Sequence, residues 1–459
     1  MSDFDFTVPV LVAGSGACGA VAALAAADAG MMPLVIERDD RAGGSTGMSQ
    51  GLFCAAGTES QRAHGIDDSA DIFFADIMAK ARGKTDPVIA RTLADHSAPT
   101  LEWLRQAHDL PWELDTGFGA AYGNSRARIH GWPGHSGLEM VQLLHRRMGD
   151  AGIDVLMQTK LIDIFADGEG RVTGVALERA DGAIERIGCD SLVLACGGFG
   201  ANRAMTDRYM PETSTLKYNG HEGSHGEAIF LGERLGAALG DMSSYQGYAM
   251  LTQPQGISVP PPVLIEGGII VNAAGERFTD ESADIAGMVH PLAGQPDGLG
   301  WVIYDARIEA ACAHIPELAA LMELNAQKVS DSVEGLASLI SVDAAKLGSA
   351  LNAVQSAAAT GGSDSFGRSW ANDVPPQGPY RALRVTGALY HTQGGLQIDG
   401  AARVLRSDGS GFPNLFAGGG SARSVSGPSS WGYLPAMGLT TAVVLGRLAG
   451  QAAASLGKI

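Results

Sequence analysis

Apolar positions along the chain group in two distinct ways. The stretch 9–13 (PVLVA) is a continuous apolar run, as in a strand buried on both faces, and it passes directly into GSGACG and the small-residue pattern AVAALAAADAG. A second run over 34–36 ends in Glu37, so the segment predicts a βαβ start of about 30 residues. Further strands are predicted over 153–158, 171–178 and 191–194, and 3.6-residue periodicity predicts helices over 69–81 and 135–152. From about 242 to 390 the texture changes: PQGISVPPPV is proline-rich, and 315–359 is Ala/Leu/Ser-rich and helical. After 390 the glycine-rich texture returns and ends in the helix pattern TTAVVLGRLAGQAAAS. The pattern predicts an α/β protein in which 1–242 and 391–459 build one Rossmann-like domain, interrupted by an α+β cap over 243–390.

Composition narrows the class. At 459 residues the chain is too long for one ordinary core. With 45% hydrophobic and 18% charged residues it is a globular chain, neither disordered nor fibrous. A net charge of −18 argues against nucleic acid and against an anionic membrane surface as partners. The five cysteines are an odd set without a C-x-x-C pair, which predicts a reducing compartment rather than a disulfide framework or zinc site. MSDFDFTVPVLVAG has no basic n-region and reads as a strand, and no uninterrupted apolar run reaches the ~20 residues of a membrane helix. A cytoplasmic location without membrane insertion is the expectation.

The sharpest chemical signal is G-x-G-x-x-G at Gly14, Gly16 and Gly19, with Ser15, Ala17 and Cys18 between them. Gly14 permits the tight turn, Gly16 lets backbone approach a pyrophosphate, and Gly19 allows helix to pack on strand. The helix N-terminus stabilises phosphate, and Glu37 accepts from a ribose hydroxyl, which disfavours a 2′-phosphate and hence NADP. Beyond Glu37 the loop RAGGSTGMSQGLFCAAGT offers Gly43, Gly44, Ser45, Thr46, Met48, Ser49 and Gly51, small enough for backbone amides to reach a pyrophosphate and a flavin ring. LVLACGGFGANR adds Ala195, Gly197, Gly198 and Asn202 at a strand end, and NLFAGGGSARS repeats that arrangement with Gly419 and Gly420. Their order argues for FAD over NAD.

Taken together, GSGACG, GGSTGMSQG, AAGTESQ, GRVTGV, LACGGFGAN, GHEGSHGEA, VNAAGERFTDE, HTQGG and GLTTAVVLGRLAG resemble the flavoprotein family of fumarate reductase, succinate dehydrogenase flavoprotein, urocanate reductase and the 3-ketosteroid dehydrogenases. The resemblance covers nearly the whole chain. It implies an FAD-binding domain with an inserted capping domain and substrate held between flavin and cap. It also implies cofactor roles for Arg38, Leu161, Glu227, Gly394, Gly438 and Leu439. Succinate dehydrogenases of the family link FAD through a histidine in the loop where this chain has Ser45, so FAD is expected to be non-covalent. Where the family often has Glu or Asn on the ribityl chain this sequence has Gly420, leaving Ser421 or backbone to substitute.

The dicarboxylate-reducing members use histidines and arginines on substrate, and this chain departs at each place. Tyr390 precedes His391 in YHTQGG where a carboxylate-binding histidine is expected, Tyr248 stands in QGYAM for another, and Tyr433 in YLPAMG replaces a clamp arginine. No arginine follows GERFTDE before Arg307, and Ile285 stands where the Δ1-ketosteroid enzymes have a tyrosine. A phenol lacks the charged fork that neutralises a dicarboxylate, but it can hydrogen-bond a ketone or take a proton from carbon, as tyrosines of the ketosteroid branch do. The resemblance therefore implies an FAD-dependent dehydrogenase that desaturates the Cα–Cβ bond beside a ketone, in a steroid or a smaller cyclic ketone or oxo-acid. Tyr433 would be the base, and Tyr390 and the backbone near Gly438 would stabilise the enolate, with a small-molecule ketone and an external electron acceptor as partners. The alternatives are an enone or enoate reductase and a non-catalytic flavin electron-transfer subunit. Tyr122, Tyr245 and Tyr304 are read as structural, Arg277 and Glu281 as an ordinary ion pair, and His391 or Arg126 as possible holders of a single carboxylate.

Overall fold

The computed structural model describes residues 4–457. The apolar run at the start becomes the strand Phe6–Ala13, at the centre of a mainly parallel sheet. Pro33–Ile36 flanks it on one side and Ile184–Leu194 on the other, so that Val12 lies level with both Val35 and Val193. Asp154–Leu156 extends the sheet beyond Pro33–Ile36, and Gly411–Ala417 runs parallel to Ile184–Leu194. Residues 10–13, 33–36 and 192–194 are buried on both faces, which is why they read as unbroken apolar runs, whereas Asp154–Leu156 at the edge is partly exposed. Thr159–Ala166 and Val172–Arg179 form an antiparallel pair leading into Ile184–Leu194. The first of these escapes a period-2 reading because Lys160 and Asp163 interrupt it and its register shifts between Leu161 and Asp163.

The two chain ends share one core. The first helix, Ala17–Asp28, packs against the last, Met437–Leu456, and small residues make the approach possible. A Cβ on Gly446 would lie 2.4 Å from the Cys18 carbonyl oxygen, and one on Gly450 2.1 Å from that of Ala22. Met437–Leu456 is long and apolar enough to cross a membrane by length and composition, and more than half of it is buried in this core. The expected helices over 69–81 and 135–152 are Ala70–Lys80, capped by Ser69, and Gly137–Asp150, capped by Ser136.

A second sheet is built around the long strand Tyr380–Thr392, antiparallel to Leu299–Asp305 and to Tyr245–Thr252. Lys217–Tyr218 pairs with its C-terminal end, and Ile269–Asn272 lies beyond Leu299–Asp305. The stretch 315–359 forms helices Pro316–Glu323, Val333–Ile340 and Ala344–Thr360, with the short strand Lys328–Ser330 between the first two. Arg277 and Glu281 sit behind this sheet as a buried ion pair (2.6 Å), extended by Asp364 and Arg368. Tyr380–Thr392 ends at the junction with the first sheet and delivers Tyr390 and His391 there.

Candidate active site

The residues brought to that junction line one elongated cavity of about 410 Å³. One end is the strand–helix turn after Phe6–Ala13. Gly14, Gly16, Ala17 and Cys18 face the cavity there, whereas Gly19 is in the strand–helix contact, where a Cβ would meet the Gly14 carbonyl oxygen at 1.8 Å. Gly14 adopts φ +104°, and a side chain on it would also strike Ala195 at 2.3 Å. Glu37 closes this end. Its Oε2 accepts the Ser15 amide and hydroxyl, both at 2.8 Å, and its Oε1 accepts the Asp39 amide at 3.0 Å. Ser15 thus acts by holding Glu37 rather than by lining the cavity.

Around the middle, Gly44, Ser45, Thr46, Met48 and Ser49 come from one wall, and the Thr46 hydroxyl accepts the Ala17 amide at 2.9 Å. Ala195, Gly197, Gly198, Gly419 and Gly420 come from the opposite wall. There the two glycine turns nearly touch: a Cβ on Gly420 would lie 2.5 Å from the Gly198 nitrogen. The Ser421 hydroxyl is turned away, donating to the Gly197 carbonyl at 3.2 Å, so of the two substitutes named for the ribityl position only backbone lines the cavity. Leu161, Arg38 and Glu227 also line it, and Arg38 and Lys160 both approach Glu227, at 3.6 and 3.8 Å.

Five other sequence-derived candidates lie off the cavity. Gly43 and Gly51 flank the loop without facing in, and Gly394 packs on the Asp241 backbone. Asn202 caps the helix Arg203–Tyr209, accepting the Met205 amide at 3.2 Å. Arg126 is exposed and spends its guanidinium on the Asp67 and Ser125 carbonyls, so it does not reach the site.

The far end holds the phenols. Tyr248 and Tyr390 stack with ring centroids 5.2 Å apart. The Tyr248 hydroxyl donates to the Val259 carbonyl at 2.5 Å, and the Tyr390 hydroxyl is hydrogen-bonded to Ser258. Tyr433 meets His391 edge-on at 5.7 Å, and its hydroxyl accepts the Gly438 amide at 3.2 Å, at the N-terminus of the last helix. Leu439 completes that wall. The Gly438 amide read as an enolate donor is therefore already engaged by Tyr433. Burial holds every one of these phenols above the usual tyrosine range, Tyr390 at about 12, with Tyr248 and Tyr433 also pushed up. Among the described residues no cation lies beside them to pull the other way. Burial also lowers His391 to about 4. Its Nδ1 lies 3.0 Å from the Gln393 amide nitrogen and 3.4 Å from the Thr392 carbonyl oxygen, and the lowered value keeps the ring neutral near pH 7.

Sequence reasoning passed over several residues of this end: Phe118, Asn219, Ser258, Pro260 and Glu317. Gln50 was visible in GGSTGMSQG, but nothing local marked Glu317, whose carboxylate accepts from the Gln50 amide at 2.6 Å across 267 positions. Ile285 lies on this wall.

The residues present fit a dinucleotide-bearing flavin: a helix N-terminus, a terminal acid for a ribose, and facing glycine turns where any side chain would fill the groove. Comparison with known proteins agrees. The model of a family described as FAD binding domain matches residues 9–431. The chain is 28% identical to a cytochrome-type fumarate reductase of Shewanella frigidimarina, over 98% of this chain and 78% of that protein. It is 27% identical to a urocanate reductase of Eggerthella lenta, over 98% of this chain and 75% of the relative. A 3-ketosteroid-delta4-(5alpha)-dehydrogenase from Rhodococcus jostii RHA1, solved with 4-androstene-3,17-dione, superposes with a TM-score of 0.81 at 23% identity, covering 99% of this chain and 98% of that one, and so shares the fold.

Proposed function

The chain belongs to the FAD binding domain family and is an FAD-dependent oxidoreductase acting on carbon–carbon bonds; from that premise we propose that it desaturates the Cα–Cβ bond beside a ketone. The observation that carries the reading is the make-up of the cavity's far end, where Tyr248, Tyr390 and Tyr433 converge. The cavity's arginine and lysine, Arg38 and Lys160, sit at the other end with Glu227. When bound, FAD supplies the hydride acceptor. The chain's own residues do the rest. The stacked pair Tyr248 and Tyr390 forms a flat apolar wall against which a ring can lie, and Ser258 and Tyr390 together offer a hydroxyl pair to a carbonyl oxygen. Tyr433 is the candidate for the Cα proton. The step balances from the deprotonated phenol, which takes the Cα proton as hydride leaves Cβ; burial makes that phenolate a minor form, so desaturation is favoured by rising pH. His391, neutral near pH 7, is the polar neighbour that orients the phenol or the substrate oxygen. A non-covalent cofactor is part of the proposal, supported by Ser45 in the loop where a linking histidine would stand; flavin that stays with acid-precipitated chain would refute it.

The reverse reaction, reduction of an enone, has a specific observation in its favour. Tyr433 keeps its proton, and among the described residues its hydroxyl accepts from Gly438 without donating to any group, so that proton is free for a substrate carbon. The relatives named above are reductases. Anaerobic mixing separates the two readings. Desaturation requires a cyclic ketone to bleach oxidised enzyme, enone reduction requires an enone to reoxidise reduced enzyme, and failure of both across a ketone and enone panel overturns the proposal.

A further inference from the structure

The donors at the far end of the cavity are largely committed to protein acceptors. Tyr248 gives its proton to Val259, and Gln50 gives its amide to Glu317. What remains unmatched is an acceptor. Glu317 stands in the first turn of the helix Pro316–Glu323 and turns its carboxylate into the cavity. Its Oε1 is taken by Gln50 at 2.6 Å, while its Oε2 is screened from solvent and has no partner among the described residues. A carboxylate oxygen so placed is costly unless a donor meets it. The cavity's cationic side chains are at the opposite end, and the nearby His135 is already paired with Asp115 at 2.9 Å. The charge of Glu317 reaches the stacked phenols, adding to the burial that keeps Tyr248 and Tyr390 protonated.

We propose that Glu317 determines which substrates enter: its free Oε2 accepts a hydrogen bond from a hydroxyl or ammonium group carried by the substrate away from the reacting carbons, and its charge turns away substrates bearing a carboxylate there. The substrate class is thus a ring ketone with a distal hydrogen-bond donor. The inference rests on the proposed ketone chemistry for the ring alone, since recognition by Glu317 is a matter of binding and not of turnover.

Four probes of similar size test it: cyclohexanone, 4-hydroxycyclohexanone, 4-aminocyclohexanone and 4-oxocyclohexanecarboxylate. Dissociation constants are read from the perturbation of the bound flavin's absorbance, and flavin bleaching is followed separately. Wild-type holoenzyme should bind the hydroxy or the amino ketone about 10- to 100-fold more tightly than cyclohexanone, the value of a hydrogen bond to a charged acceptor, and the oxo-carboxylate most weakly. In Glu317→Gln the gap between ammonium and carboxylate probes should collapse by about tenfold or more, whereas the hydroxyl probe keeps part of its advantage through the amide oxygen. Preference for the ammonium probe alone, or for the hydroxyl probe alone, identifies the donor. Gln50→Leu leaves the carboxylate in place and should retain the wild-type order. Equal affinities for all four probes in wild type overturn the inference, as does a Glu317→Gln profile identical to wild type, which would leave the Gln50–Glu317 contact as a structural tie only. Selective binding without bleaching would sink the ketone-desaturation reading and leave Glu317 standing; bleaching by all four without selectivity would do the reverse.

Discussion

The Tyr433 phenolic oxygen accepts the backbone N–H of Gly438, 3.2 Å away, at the first turn of the helix Met437–Leu456. A helix N-terminus leaves its first amides without intrahelical partners, and here the side chain five residues upstream meets one of them. The bond places one lone pair of the phenol on backbone and leaves its proton to face the cavity. Tyr433→Phe keeps the ring and its packing on His391 but removes that proton and exposes the Gly438 amide. Stability should fall by only about 0.5–1.5 kcal/mol, the net worth of one hydrogen bond. Reduction of the bound flavin by a ketone should slow by about 10²–10⁴, the usual worth of general acid–base catalysis, with KM moving much less. A wild-type rate in this variant, with Tyr390→Phe or Tyr248→Phe inactive, would assign the proton to another phenol.

Glu37→Gln should weaken FAD retention. The carboxylate already gathers the Ser15 amide, the Ser15 hydroxyl and the Asp39 amide, so a carboxamide must turn its NH2 group against at least one donor. Loss of a charged acceptor from a ribose hydroxyl adds roughly 1.5–3 kcal/mol. Equilibrium dialysis of FAD against both proteins measures the change. Equal affinity would mean that Glu37 braces the Ser15 turn without touching the ribose.

Fumarate and succinate should neither oxidise nor reduce the enzyme at a useful rate. Two carboxylates need guanidinium or ammonium partners, and the far end of the cavity presents phenols and the Glu317 carboxylate instead. Robust fumarate-dependent reoxidation of the reduced protein would show that histidine and backbone suffice for a dicarboxylate here.

How far the sequence carried these conclusions depended on separation along the chain. The opening strand, the glycine turn and Glu37 were legible because each acts within about 25 residues, as Gly19 does in its close approach to the Gly14 carbonyl. The strand Thr159–Ala166 was not, because a register shift and two charged residues hide its alternation. Tyr248, Tyr390 and Tyr433 could be singled out by their place in motifs, but their protonation could not, since it follows from burial and from the absence of a neighbouring cation. Glu317 was invisible. It sits in an alanine- and leucine-rich helical stretch like many surface carboxylates, and only folding brings Gln50 to it.

His391 makes the last prediction one of pH. Buried against Tyr433 and Gly438, its imidazole is lowered from 6.5 to about 4. Burial penalises the charged ring, and the Thr392 carbonyl 3.4 Å from Nδ1 offsets only part of that cost. The folded state thus binds this proton less readily than the unfolded chain. Stability contributed by the neutral ring is complete above about pH 6.5 and is lost as pH falls toward 4. His130, also buried and lowered to about 4, adds to the same slope. The shift from 6.5 to about 4 corresponds to roughly 3–4 kcal/mol for His391. Denaturant melts at pH 7 and pH 5 should therefore differ in midpoint more for wild type than for His391→Gln, in which the titrating ring is gone. If His391→Gln retains the whole acid slope, the imidazole is not the group that resists the proton, and His130 carries the effect alone.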